Sequence, residues 1–172
     1  MTAFGALITD AEGLTLSPEE KAFFKAANPF GFILFARNID TPDQVRALCA
    51  EMRDAVGRNA PITIDQEGGR VQRMRAPQWT DWSPARDFVK RAGAQAERAM
   101  YLRYRLIAAE LMSVGIDSNC APIVDLVSDV THDFLRHRCY GTDPAQVTLL
   151  GRAVADGLLD SAGHPPRSAV VA

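Results

Sequence analysis

The chain has 172 residues, 47% of them hydrophobic and 23% charged, the balance of a soluble domain with one sizeable core rather than of a disordered segment. Its formal net charge is −2 and no Lys/Arg run is long enough to follow a phosphate backbone, so nucleic acid is a poor candidate partner. No transmembrane segment is visible, and Cys49, Cys120 and Cys139 are widely spaced without a CxxC pair, which fits reduced thiols in a cytoplasmic protein.

Residues 1–10 lack the basic n-region and the long apolar run of a signal peptide. Residues 3–9 read as a first strand. Ser17-Pro18-Glu19-Glu20 follows with a capping box and a proline at the first helical position. A second strand is expected over 31–36, Gly-Phe-Ile-Leu-Phe-Ala, ending on Arg37-Asn38, and Thr41-Pro42-Asp43-Gln44 repeats the capping pattern with Gln. The helix it starts carries Val45, Leu48, Met52 and Val56 at helical spacing.

A third strand, 60–65, ends on Asp65-Gln66-Glu67-Gly68-Gly69-Arg70-Val71-Gln72-Arg73. Trp79 and Trp82 follow in a loop, where packing onto the rim of the fold is favoured over stacking on a sugar. Met100, Tyr104, Ile107, Leu111 and Val114 mark the next helix, on which Arg103 and Arg105 are expected to be solvated. A fourth strand is expected within 115–126, ending near Asp125. His132 and His137 lack a cysteine or HExxH context, so no zinc site is implied. Asp143-Pro144 starts a last helix with Val147, Leu150, Val154 and Leu158 on one stripe. Cys120 and Cys139 read as small apolar fillers.

Nearly continuous apolar strands alternating with one-faced helices predict an α/β fold with parallel strands covered on both sides. Ligand sites in such folds collect at the C-terminal strand ends. Arg37-Asn38, Asp65-Gln66-Glu67 and Asp125 all fall there. Three readings of the 65–73 motif compete: a Gly-Gly turn with a solvated ion pair, a phosphate nest, and a pocket for neutral hydroxyls. GxxxxGK[ST] and GxGxxG are both missing, and Asp65 and Glu67 would repel phosphate. Hydroxyls fit better, because a carboxylate accepts paired hydrogen bonds from vicinal OH groups while an arginine donates to a third.

The block from Ile64 to Arg73 resembles the signature of glycoside hydrolase family 3, in particular its bacterial β-N-acetylhexosaminidases. The segments 31–38, 115–126 (with Ala121-Pro122-Ile123-Val124-Asp125-Leu126) and 138–144 (Arg-Cys-Tyr-Gly-Thr-Asp-Pro) resemble further blocks of that family, in order and at fitting intervals, over about residues 3 to 163. The resemblance implies a (β/α)8 TIM barrel, of which this chain would hold the first four βα units in residues 1–163, followed by a divergent, disordered tail at 164–172. It implies retaining removal of a terminal β-linked N-acetylglucosamine from cell-wall muropeptides, and no cofactor or metal. Asp65 resembles the acceptor for sugar hydroxyls and Arg73 and Arg138 the sugar-binding arginines, with Glu67 and Asp125 in supporting roles.

The family's Lys-His acid/base block and its nucleophilic Asp have no counterpart here; after Gly163 the sequence reads His164-Pro165-Pro166-Arg167-Ser168 and on to Ala172. Retaining hydrolysis needs both groups, so no catalytic residue is assigned and the chain is expected to be inactive alone. Four strands of a closed barrel would leave open edges and an apolar patch, hence an expectation of self-association. Two alternatives remain: a β-glucosidase fragment of the same family, and a non-catalytic sugar-binding or assembly half barrel.

Overall fold

A computed structural model describes residues 4–160 together with the backbone of 170–171. Three parallel strands, β1 (Gly5–Thr9), β2 (Pro29–Leu34) and β3 (Ile62–Ile64), pair in that order, with Ile8 beside Gly31, Phe32 beside Ile62 and Leu34 beside Ile64. The crossovers are α1 (Pro18–Ala27) and α2 (Pro42–Val56). Directly after β3 the chain makes a small antiparallel hairpin, β4 (Gln66–Gly68) and β5 (Val71–Gln72). Then come α3 (Ala85–Ala92), α4 (Ala96–Ser113), β6 (Ser118–Asn119), α5 (Asp133–Arg136), α6 (Pro144–Leu159) and β7 (Val170–Val171), the last parallel to β6.

β6 lies alongside β3 in the same direction: the amides of Asp117 and Cys120 donate to the carbonyl oxygens of Ile62 and Ile64 at 3.2 and 2.9 Å. The expected fourth strand is therefore much shorter than 115–126. Pro122, one residue beyond Ala121, has no amide to extend the ladder, and beyond it Leu126 makes only an isolated bridge to Gly141. The tail expected at 164–172 lies outside the described residues except for the paired backbone of Val170–Val171.

The helix starts follow the sequence closely. Ser17 Oγ accepts from the Glu20 amide at 3.1 Å while Glu20 Oε2 accepts from the Ser17 amide at 2.9 Å, the reciprocal box. At α2 only half of it forms. Thr41 Oγ1 accepts from Gln44, but Gln44 Oε1 takes the amide of Asp40 and its Nε2 donates to Leu14 O and Asn38 O, so this side chain tethers a loop. Asp143 caps α6 by accepting from the amides of Ala145 and Gln146.

The predicted stripes face the core, where Val45, Leu48, Met52, Met100, Tyr104, Ile107, Leu150 and Val154 are all buried against Phe32, Leu34, Ile62 and Ile64. Each fully buried aliphatic side chain contributes on the order of 2 kcal/mol. α4 and α6 pack so closely that a Cβ on Gly157 would lie 2.4 Å from the Tyr101 carbonyl oxygen. The expectation of strands covered on both sides fails at β1, where Leu7 and Ile8 are 45% and 50% exposed. That strand is the open edge of the sheet. Among the described residues, no helix is long and apolar enough to cross a membrane.

Candidate functional site

Parallel pairing brings Asp10, Arg37-Asn38, Asp65 and Cys120, the residues that follow β1, β2, β3 and β6, to one edge. The first of these are structural. Arg37 forms an ion pair with Asp10. Buried Asn38 donates to the carbonyls of Ala11 and Gly13 at 2.8 and 2.9 Å and accepts from the Phe35 amide, lashing the first loop to the end of β2.

The hairpin after β3 is held by side-chain amides standing in for backbone. Fully buried Gln66 accepts from the amides of Arg73 and Met74 through Oε1 and donates to Met74 O through Nε2. Its own amide and carbonyl pair with the side chain of buried Asn119 at 3.0 and 3.1 Å. Gln72 does the same for the next loop, donating to Met74 O and Thr80 O and accepting from the Trp82 amide. Gly68 (φ 109°) turns the hairpin where a Cβ would stand 2.1 Å from Arg103 Nη2. The Gly69 amide donates to Trp82 O at 2.6 Å, so it is not part of an open phosphate nest.

The frame presents two carboxylate–arginine pairs. Asp65, at the end of β3, meets Arg73 with a single contact of 2.6 Å, their side chains 23% and 25% exposed. Glu67, two residues on, is 3% exposed and receives both Nε and Nη2 of Arg138 at 2.9 and 2.7 Å. That bidentate bond is the main reason the Arg138 pKa is raised, with the charges of Asp125 and Asp65 adding to it. Asp125 itself is exposed and acts on Arg138 through its field. Four of the five residues expected at the site thus form two neighbouring pairs, while Asp125 reaches them only through its charge.

Other expectations are corrected. Arg103 is not solvated: it is 2% exposed, donates from Nη2 to the carbonyls of Glu67 and Ser83 at 2.7 Å each, and lies against the rings of Trp82, Phe88 and Tyr104. Burial lowers its pKa. It joins the backbone of the buried glutamate to α4, and the glycine at 68 was the available signal for something large pressed against that turn. Cys120 keeps the filler reading, as a partly buried thiol held in its protonated form. Its sulfur sits 3.6 Å from Thr63 Oγ1, and its pKa is raised first by burial and then by the neighbouring Asp65 and Glu67. Cys139 is a buried thiol donating to Leu135 O at 3.3 Å.

Trp79 and Trp82 pack against the core, in keeping with the rim-packing reading. His132 Nδ1 accepts from the Phe134 amide as the cap of α5. Among the described residues, no cluster of His, Cys, Asp and Glu could hold a metal ion. What the rim offers is hydrogen bonding: carboxylate acceptors and guanidinium donors, held side by side, suited to a polyhydroxylated ligand.

Comparison with known proteins gives the same direction. A β-hexosaminidase of Methylococcus capsulatus is 37% identical over 149 residues, which are 87% of this chain and 44% of that protein. The crystal structure of native NagZ from Neisseria gonorrhoeae superposes with a TM-score of 0.82 at 29% identity, covering 90% of this chain and 46% of that one. The same enzyme in complex with N-trifluoroacetyl-D-glucosamine matches equally well. This chain therefore spans a little under half the length of these relatives. The family profile described as the glycosyl hydrolase family 3 N terminal domain matches residues 9–170, nearly the whole sequence, and the chain belongs to that family.

Proposed function

We propose that this chain is the sugar-holding part of a β-N-acetylhexosaminidase, built on the first four βα units of a (β/α)8 barrel within residues 1–163. The observation that carries the reading is the Asp65–Arg73 pair, about a quarter exposed at the end of β3, beside the Glu67–Arg138 pair with its buried carboxylate. Asp65 accepts from neighbouring hydroxyls of a terminal β-linked N-acetylglucosamine; Arg73 and Arg138 donate to oxygens around the ring. Glu67 fixes Arg138, and Asp125 supports it through charge. The relatives' name and the N-acylglucosamine analogue held by the gonococcal enzyme favour this sugar over glucose. A muropeptide fragment in the cytoplasm is the natural bearer of such a residue.

Retaining hydrolysis requires a nucleophile and a separate acid/base, and none of these 172 residues matches either in the family pattern. The chain alone holds the sugar without cleaving it. Calorimetric titration with N-acetylglucosamine should show saturable binding that Asp65→Ala abolishes, with glucose binding more weakly. Glucose binding equally well would favour the β-glucosidase alternative. Turnover of a chromogenic β-N-acetylglucosaminide by the purified chain, lost in Asp65→Ala, would overturn the non-catalytic part of the proposal.

The edge of β1 supports self-association as a further element of this reading. Phe4, Leu7 and Ile8 are about half exposed there, beside unpaired backbone groups on an open strand. Ile8→Lys should shift the sedimentation profile from dimer to monomer; a monomeric unsubstituted chain would refute this element and leave sugar binding untouched.

A further inference from the structure

A cavity of about 400 Å³ opens between α3 and the start of α6, and it is lined by no carboxylate. One wall is a single face of α3, where Arg86 and Lys90 stand one turn apart; the other is formed by Tyr140, Gly141, Thr142 and Gln146. Like charges at this spacing disfavour a helix unless an anion offsets them. Among the described residues neither side chain forms an ion pair. The Nη1 of Arg86 has no hydrogen-bond partner, so no protein acceptor holds the guanidinium at that atom, and the rest of the side chain is only partly buried where it lines the cavity. Asp143, next to Thr142 in sequence, caps α6 through the amides of Ala145 and Gln146 and forms no ion pair with Arg86 or Lys90 among the described residues.

We infer that this cavity binds a small phosphate-class dianion, with Arg86 and Lys90 supplying the charge and the Thr142 hydroxyl and Gln146 side-chain amide orienting its oxygens. The chemistry is that of an oxyanion with several acceptors meeting a guanidinium, an ammonium and two neutral donors. The site is separate from the sugar rim but mechanically continuous with it. The Arg86 amide donates to His137 O at 3.2 Å, and His137 precedes the arginine that grips Glu67. This inference does not depend on the sugar-binding proposal.

Titration of the whole chain with inorganic phosphate, followed by amide NMR at constant ionic strength, tests it. Saturable shifts are expected in α3 and residues 140–146, and each of Arg86→Met and Lys90→Met should weaken them about tenfold, the loss of one charge-assisted contact. Lys90 is exposed, so its substitution leaves the fold intact even if Arg86→Met does not. A glycerol phosphate arm distinguishes a free from an esterified phosphate, and binding of either supports the site. Unchanged binding in Lys90→Met, or equal shifts with acetate or chloride, would overturn it.

Discussion

Two ion pairs stand two residues apart on the same rim, and they are built for opposite purposes. Glu67 is enclosed: both carboxylate oxygens take Arg138, and its carbonyl takes Arg103. Asp65 is open, with one contact to Arg73 and nearly a quarter of its side chain exposed. A buried carboxylate that loses its partner is an uncompensated charge in a poor solvent, whereas a pair one quarter exposed on both sides is already partly served by water. Both pairs join a carboxylate to a guanidinium; enclosure makes one a scaffold and leaves the other available to a ligand.

The sharpest way to break this comparison is to disturb the enclosed pair. Arg138→Ala leaves the carboxylate of Glu67, 3% exposed, without its partner and should cost about 3 kcal/mol in urea unfolding. Glu67→Ala should cost about 2 kcal/mol, the loss of two charge-assisted hydrogen bonds to an arginine that keeps solvent access, and the double variant should recover part of the Arg138→Ala loss, because that penalty is mainly that of the orphaned carboxylate. Additive effects in that cycle would mean that the bidentate geometry contributes little. Arg103→Met comes next, at about 2 kcal/mol, since two carbonyl oxygens lose their donor while the apolar stem still packs against Phe88 and Trp82.

An effect that shows only at alkaline pH comes from behind the rim. Burial pushes the Cys49 thiol from 9.0 up to about 12, so the unfolded chain loses its proton at a lower pH than the folded one. Between those values the unfolded state binds fewer protons, and stability falls as pH rises. The contribution is complete below about pH 9 and lost towards pH 12. Cys49→Ala should flatten the decline of the urea midpoint across that window by up to about 1.4 kcal/mol per pH unit. An unchanged slope would assign the alkaline loss to the buried tyrosines Tyr104 and Tyr140, whose pKa values burial also raises.

The sequence pattern made the helices and the site edge legible because both rest on local rules. A Ser-Pro-Glu-Glu run caps whatever helix follows it, and parallel strands send their polar ends to one side. Arg103 was misread because its helical position says only which face it shares; that this face meets the Gly68 turn is a property of packing between distant segments. The same limit hid Gln66 and Asn119, which exchange hydrogen bonds across 53 positions in sequence. Asp65, Arg73 and Arg138 were visible as a set, yet nothing in their spacing told which carboxylate would be enclosed. The composition of β1 does not mark it as an edge, for an apolar strand has the same composition there as in the middle of a sheet; only the resemblance, which leaves four strands of a closed barrel with open edges, pointed to its exposure.

Asp65→Ala should have the smallest effect on stability, below about 1 kcal/mol, because both members of the pair reach solvent and only one contact joins them. Arg73 would keep its contact with the Phe35 ring, 5.8 Å from the guanidinium carbon to the ring centre, and remain wetted at the rim. The unfolding midpoint of this variant should therefore sit close to that of the unsubstituted chain while Glu67→Ala falls well below both. A loss as large as that of Glu67→Ala would show that Asp65 also anchors the hairpin, and the division between scaffold and open hand would collapse. If the small cost holds, any ligand contact removed by Asp65→Ala can be read as a contact, because the frame that Gln66, Asn119 and Arg103 hold around it stays in place.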